Sequence, residues 1–317
     1  MRDKTVTVFG GTGFIGRYVV EKLAHAGAYI RVPSRRIDRA LFLKPLGDIG
    51  QIVPEARDVS DPKDVRAAIQ GSDAVVNLVG ILYESKRGDF LRLQAELPGH
   101  IGVAARDLGL QSVVHVSAIG ADPNSSAVYA RTKGEGEQAL RDAFPEAVIV
   151  RPSVLFGPED EFFNRFAAMA RLAPALPLVG GGTTKFQPVY VGDVAAAVMA
   201  GLSRPEARGK IYELGGPKVA SFAELLRYML SITGQKRFLA PLPFGLAKLQ
   251  ARFLELLPKP MLTRDQVELL KTDNVVGDNA LTLNDLGIDP TPMDLIVPQY
   301  LRRFMPPKAR AAVERKA

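Results

Sequence analysis

"VFGGTGFIGRYVV", residues 8–20, closes one hydrophobic run and opens another, with glycines at positions 10, 13 and 16. The glycines stand directly after a strand-like run and open a helix-patterned stretch, which marks a strand entering a helix through a tight turn. Each glycine has its own reason. Gly10 permits the tight turn, Gly13 lets backbone N–H groups approach a pyrophosphate, and Gly16 allows close packing of the helix. The helix N-terminus then favours phosphate charge. Any strand-to-helix turn can use glycines, so their meaning depends on what surrounds them.

Outward from this turn, short β-branched runs alternate with helix-patterned stretches. The runs are "TVTVF" (5–9), "YIRVP" (29–33), "QIVPEA" (51–56), "AVVNLVG" (74–80), "SVVHVS" (112–117) and "AVIVRP" (147–152). Helical periodicity fills 15–26, 61–70, 90–108 and 133–144. Continuously apolar strands separated by helices predict an α/β fold, a Rossmann-type doubly wound parallel sheet covered on both faces. After residue 155 the segments "APALP", "APLPFG", "LPKP" and "MPP" punctuate shorter elements. The chain thus divides into a dinucleotide-binding domain, 1–155, and a smaller, irregular, mostly helical C-terminal lobe, 156–317, part of which completes the first fold.

Composition narrows the chemistry. The 317 residues are 47% hydrophobic, enough for a sizeable core, and include no cysteine, which removes disulfides, thiolate zinc sites and conventional iron–sulfur clusters. The three histidines, His25, His100 and His115, are scattered and predict structural roles and no metal site. Any electron transfer therefore needs an organic cofactor. The net charge of +7 is concentrated at the end of the chain, where Arg302, Arg303, Lys308, Arg310, Arg315 and Lys316 face only Glu314. This ending reads as a solvated tail or as a contact for an acidic protein or anionic lipid headgroups. No aromatic-interleaved basic stripe or nucleic-acid-binding motif accompanies it, so nucleic acid is not an expected partner. The start, "MRDKTVTVFGG", shows neither signal core nor transit presequence, and no apolar run approaches the ~20 residues of a membrane span. The expectation is a cytoplasmic protein whose membrane association, if any, is peripheral.

Two further patterns bear on function. About 20 positions beyond the glycines, where an acidic residue would bind a ribose 2′-hydroxyl, stand Arg35 and Arg36. Guanidinium groups there suit a 2′-phosphate and predict NADP(H) over NAD(H). In "VYARTK" (128–133), Tyr129 and Lys133 are four residues apart and share a helix face. A phenol beside an ammonium can protonate a carbonyl that receives a hydride, with Ser117 orienting the oxygen, or can clamp a cofactor ribose. In the second half, "LPFGLAKLQARFLELL" (242–257) sets Leu246, Leu249, Phe253 and Leu257 at helical spacing. That stripe reads as core of its own lobe or as an interfacial, partner-binding helix.

"GGTGFIG", Asp58 in "RDVSD", Asn77 in "NLVG", Ser117, "YARTK", "RPSVLFGP" and "QPVYVGDVA" occur together and in order. Over residues 5 to 215 the chain resembles the short-chain dehydrogenase/reductase superfamily of the extended or atypical kind. "YARTKGEGEQALRDAFPEAVIVRPSVLFGPEDEFFNRFA", "FQPVYVGDVA" and "DLGIDPTPMDLIVPQYLRRF" extend the resemblance through the C-terminal lobe. There it looks like the nucleotide-binding accessory subunits of mitochondrial-type respiratory complex I, NADH:ubiquinone oxidoreductase. That resemblance implies a tightly held NADPH, other complex I subunits as partners, and a role in assembly or stability. Without a presequence, a bacterial version on the cytoplasmic side of the inner membrane is expected.

By motif, the resemblance assigns the pyrophosphate to Gly10, Gly13, Phe14, Ile15 and Gly16, and the 2′-phosphate to Arg35 and Arg36. It places Asp58 and Val59 by the adenine, Asn77 and Gly80 near the riboses, and Ser117, Tyr129 and Lys133 by the nicotinamide and its ribose. Pro152 and Ser153 close that end. Because Ser117, Tyr129 and Lys133 are all present, a free NADP(H)-dependent reductase or epimerase-like enzyme stays open beside the non-catalytic subunit. A membrane-surface redox sensor is a third reading.

Overall fold

The computed structural model describes residues 1–306, and Lys308, Arg310, Glu314, Arg315 and Lys316 of the basic ending lie outside the described residues. The chain forms two compact units. The first comprises 1–152, 191–214 and 277–289, and the second comprises 153–190, 215–276 and the described residues from 290 to 306.

In the first unit the elements follow the alternation read from sequence. They are β1 (Thr5–Phe9), α1 (Phe14–His25), β2 (Tyr29–Ser34), β3 (Ile52–Ala56), α2 (Pro62–Ile69), β4 (Ala74–Asn77), α3 (Leu97–Asp107), β5 (Ser112–Val116), α4 (Val128–Ala143) and β6 (Val148–Pro152). The chain then builds β7 (Leu155–Phe156), α5 (Phe162–Leu172), β8 (Ala175–Val179), β9 (Lys185–Phe186) and β10 (Val189–Tyr190) of the second unit. It returns to the first unit with α6 (Val191–Ser203) and β11 (Ile211–Leu214). The sheet runs β11-β6-β5-β4-β1-β2-β3, and every adjacent pair is parallel. Connections leave β1 toward β2 and β3, then cross back to β4, so the strand order reverses between β1 and β4. A doubly wound sheet opens its ligand crevice at that switch point, beyond the carboxyl ends of the strands.

One side of the sheet is covered by α2, α3 and α4 over a core that includes Phe9, Val75, Val113, Leu97, Ile101 and Leu140. Helices α1 and α6 pack on each other. The single helix expected over 90–108 is instead a π-helical turn, Leu91–Glu96, running into α3. Pro98 lacks the N–H that an α-helix would direct to the carbonyl of Gln94. That carbonyl lies against Gly136 of α4, where a Cβ would come within 1.9 Å of it. Two residues earlier, a Cβ on Gly134 would stand 2.4 Å from the backbone nitrogen of Pro123. The glycines of "KGEGE" thus cost helix propensity but let α4 press close to its neighbours.

The second unit adds β12 (Ala220–Ser221), α7 (Phe222–Thr233), β13 (Phe238–Leu242), α8 (Phe244–Leu254), α9 (Arg264–Leu269) and α10 (Met293–Leu301). Its core gathers Phe156, Phe163, Leu176, Phe222, Leu226 and Leu301 among others. Helix α10 is anchored there by the Tyr300 hydroxyl, which donates to the buried Asp160 carboxylate. Burial holds that carboxyl above the usual carboxylate range. Helix α8 corrects the expected element over 242–257 at both ends. Leu242 belongs to β13, in register with Val179 of β8, and Pro243 caps the helix. After Leu254 the chain tightens into turns before Pro258, so Leu257 lies outside the helix. The residues that α8 buries are Ala247 and Ala251, whereas Leu246, Leu249 and Phe253 are 57%, 54% and 64% exposed.

Candidate nucleotide-binding site

The glycine turn has the features its spacing predicts. Gly10 has a φ of +76°, a conformation that disfavours side chains, and a Cβ there would also meet the Leu78 carbonyl carbon at 2.9 Å. At Gly16 a Cβ would stand 2.4 Å from the Gly10 oxygen, so no other residue lets α1 begin this close to the turn. Gly13 is the N-cap of α1, has an extended backbone and offers no side chain to the first-turn amides. The backbone N–H groups of Phe14, Ile15 and Gly16 at this end are therefore free of a side-chain cap, and the helix dipole adds attraction for an anion.

Beyond β2, Arg35 and Arg36 are both exposed. Arg36 is forked onto Asp38, Nε to Oδ1 at 3.1 Å and Nη2 to Oδ2 at 2.7 Å. The hydrogen bond from Arg36 holds the Asp38 carboxyl below its usual range. Arg35 makes no close ion pair among the described residues, although its charge contributes to lowering the Asp58 carboxyl, after the hydrogen bonds from Ser60. Asp58 follows β3, accepts from the Ser60 hydroxyl at 2.6 Å and donates its N–H to Asp64 at 2.8 Å. These bonds shape the loop that carries Val59, which packs on the core below.

At the ends of β4 and β5 stand buried polar groups. Asn77 accepts from the Val79 N–H at 3.1 Å through Oδ1, while its Nδ2 has no partner among the described residues. Ser117 is buried, and among the described residues its Oγ also lacks a partner. Lys133 of α4 is buried, and its Nζ donates to the Val116 carbonyl at 3.2 Å. A Cβ on Gly80 would lie 3.3 Å from that Nζ, so a glycine is what lets the end of β4 sit beside the amine. Burial pushes the Lys133 ammonium down to about 8, with Glu137 pulling the other way. One helical turn before Lys133, Tyr129 is half-buried with its ring edge-on to Phe90, centroids 6.3 Å apart.

The carbonyl of Pro152, at the end of β6, accepts from the Ile119 N–H at 3.1 Å. Ser153 belongs to the second unit, where its hydroxyl is 2.7 Å from Asn274 Oδ1 and 2.9 Å from the Asn274 carbonyl. What Ser153 can offer a ligand is thus mainly backbone. Sequence reading overlooked Glu137 and Arg151. Glu137 is buried on α4 and receives the Arg151 guanidinium at 2.9 and 2.6 Å. The legible signal was spacing: Glu137 follows Lys133 by four, on the same helix face.

Along the first unit, then, the strand ends carry a cap-free helix N-terminus, two arginines, donor groups without partners and a buried ammonium. This is the donor set that a nicotinamide dinucleotide requires: amides for the pyrophosphate, cations for a phosphate, and side-chain donors for ribose and carboxamide oxygens. The buried Ser117 Oγ and Asn77 Nδ2, lacking internal partners, fit such a ligand.

The fold and site define a Rossmann-type nucleotide-binding protein, and residues 6–215 match the NAD dependent epimerase/dehydratase family. The chain belongs to that family and, within it, to the group formed by subunit 9 of the alpha subcomplex of mitochondrial NADH dehydrogenase [ubiquinone] 1. The subunit from Arabidopsis thaliana is 38% identical over 296 residues, covering 90% of this chain and 74% of the relative. The one from Rattus norvegicus is 37% identical over 300 residues, covering 94% and 79%. Among solved structures, an NADPH-dependent quinone oxidoreductase from Escherichia coli, complexed with NADPH, shares the fold at a TM-score of 0.72 and 21% identity, covering 93% of this chain and 99% of that one.

Proposed function

We propose that this protein is an accessory subunit of respiratory complex I that holds NADPH tightly and supports assembly and stability where the hydrophilic arm meets the membrane. The observation that carries this reading is the extent of the likeness: more than 90% of the chain aligns with the rat complex I subunit, so the second unit is shared as well as the nucleotide fold. The apolar face of α8 supports a peripheral site against the membrane surface or a membrane subunit, on the cytoplasmic side of a bacterial inner membrane. Lys248 and Arg252 on the same helix, and Lys259 after it, suit anionic headgroups.

Arg35, with Arg36 released from Asp38, holds the 2′-phosphate of the nucleotide. The first-turn amides of α1 hold its pyrophosphate, and Lys133 and Tyr129 hold the ribose on the nicotinamide side. When bound, the nicotinamide supplies hydride chemistry. A second reading, an NADP(H)-dependent reductase, is favoured by the free Ser117 hydroxyl and the buried Lys133 ammonium. In that case Ser117 orients a carbonyl oxygen and Tyr129 donates a proton to it.

The test is purification from native membranes of a tagged chain, followed by mass identification of nucleotide released on denaturation. Co-migration with a large NADH:quinone oxidoreductase and stoichiometric NADP(H) are expected, and Arg35→Ala with Arg36→Ala should lower NADPH affinity by at least tenfold. A chain found only in the soluble fraction, with turnover abolished in Tyr129→Phe, would establish the reductase instead. Stoichiometric NAD(H) alone would refute the NADP(H) assignment.

A further inference from the structure

Four charged side chains lie near one another in the first unit: an ion-paired trio, Glu137, Arg151 and Glu213, and, one helical turn from Glu137 on α4, Lys133, which bonds to the Val116 carbonyl and makes no ion pair with the trio. Lys133 and Glu137 lie one turn apart on α4, and both are buried. Glu137 receives a bidentate fork from Arg151 of β6, Nε to Oε1 at 2.9 Å and Nη2 to Oε2 at 2.6 Å. Arg151 extends Nη1 to Glu213 of β11 at 3.5 Å. Glu213 Oε2 in turn accepts the backbone N–H of Gly277 at 2.9 Å. The four are neutral overall, two cations and two anions. Buried ion pairs are weak contributors to stability and are often replaceable by apolar groups, so this one calls for a role beyond packing. Of the four side chains, Lys133 is the one whose head group adjoins Gly80 at the strand ends, where the nucleotide site lies.

We propose that Glu137 is a positioning residue for nucleotide binding: held rigidly by the Arg151 fork, its carboxylate keeps the buried Lys133 ammonium charged and aimed to donate to ribose oxygens. The inference rests on the nucleotide reading above. Among the described residues, few titratable groups bear on Lys133. From β5 comes His115, which burial and the Lys133 charge hold neutral, its pKa down to about 3. From α4 itself come Tyr129 and Glu137. Arg151 of β6 bears on Lys133 only through Glu137, and Glu137 and Glu213 offset its charge. Glu137 is the source of attraction that raises Lys133 against its burial. The Arg151 fork also competes for that carboxylate, which gives the two partners opposite effects on Lys133.

Replacing Glu137 by glutamine removes the anion and should move Lys133 to lower pH. Replacing Arg151 by glutamine leaves Glu137 to Lys133 alone and should move it to higher pH. The experiment follows the 13Cε resonance of Lys133 in the nucleotide-free protein between pH 6 and 11, assigned by its loss in Lys133→Met. In parallel, NADPH affinity is measured between pH 6 and 9.5. In E137Q the Lys133 midpoint is expected to fall by a pH unit or more, and NADPH affinity should match the parent's at pH 6 but drop by up to about tenfold at pH 8.5. In R151Q the midpoint should rise, and Glu137→Asp should behave like the parent. Midpoints that move in the same direction, or affinity that falls equally at every pH, would overturn the proposal, since a merely structural ion pair predicts that result. Should E137Q fail to fold, the sign of the R151Q shift decides. If the parent binds no NADPH, the nucleotide reading fails, while the 13C titration still decides what Glu137 does to Lys133.

Discussion

At the scale of single residues, the interior of the first unit holds a histidine kept neutral by its surroundings. His115 on β5 is fully buried, in register with Asn77 of β4, and neither ring nitrogen meets the geometry of a hydrogen bond among the described residues. Its pKa is held down to about 3 by burial first and by the Lys133 charge second. The unfolded chain therefore binds a proton between about pH 6.5 and 3 that the folded chain refuses. More protons on the unfolded state means that stability rises with pH in this window, so acidification through it destabilises. The loss is on the order of 5 kcal/mol when complete. His115→Leu, similar in volume and without ionisable nitrogens, is expected to leave stability at pH 7 within about 1.5 kcal/mol and to flatten the acid limb between pH 6 and 4. Urea unfolding at a series of pH values measures both effects. An acid limb unchanged in the variant would assign the sensitivity to carboxylates instead.

At the scale of elements, α8 shows how a hydrophobic period can mislead about which side of a helix is buried. The 3.6-residue stripe of large side chains is present, but the helix packs through Ala247 and Ala251, which join Val179 and Val267 in a small cluster. Small residues let the helix approach closely and leave the leucines and Phe253 outside. If these exposed side chains are buried on docking, each contributes about 1.5–3 kcal/mol, against under about 1 kcal/mol for each exposed charge pair. Leu249→Asp with Phe253→Asp is therefore expected to release the protein from membranes while shifting the melting temperature by no more than about 2 °C, as for other surface changes. Ala251→Asp, which puts a carboxylate into the cluster, should lower the melting temperature clearly. Equal destabilisation by both changes would show that the stripe is structural.

At the scale of the whole molecule, the chain passes between the two units five times, at 152/153, 190/191, 214/215, 276/277 and 289/290. The first unit is thus finished by segments that arrive late. β11 covers the edge of β6, α6 packs on α1, and the backbone N–H of Gly277 satisfies Glu213. A fragment of residues 1–155 lacks all three. It exposes apolar surface on α1 and strands Arg151 without Glu213, and a buried ion pair deprived of a partner is costly. The fragment is expected to be insoluble or to show neither cooperative unfolding nor nucleotide binding, as circular dichroism and NADPH titration would reveal. A soluble, cooperatively folded fragment would show that the six-stranded part suffices.

The sequence by itself determined what is local. The glycines at 10, 13 and 16 located the first turn, the alternation located six strands, five of them within a residue or so and the fourth overrunning β4 by three, and a spacing of four put Tyr129 and Lys133 on one helix face. Such features depend on neighbours within a turn or two, and their physical causes, φ sterics and side-chain period, are written in consecutive residues. Only the tertiary structure decided matters between distant positions. It paired Glu137 with Arg151 and Glu213, brought "IYEL" back as the seventh strand, interrupted the helix over 90–108 where the Gln94 carbonyl meets Gly136, and turned the α8 stripe outward. Each of these depends on which surfaces the topology brings face to face. A periodic pattern states that a face is apolar; the neighbour that covers it, or its absence, is set by chain segments tens of residues away.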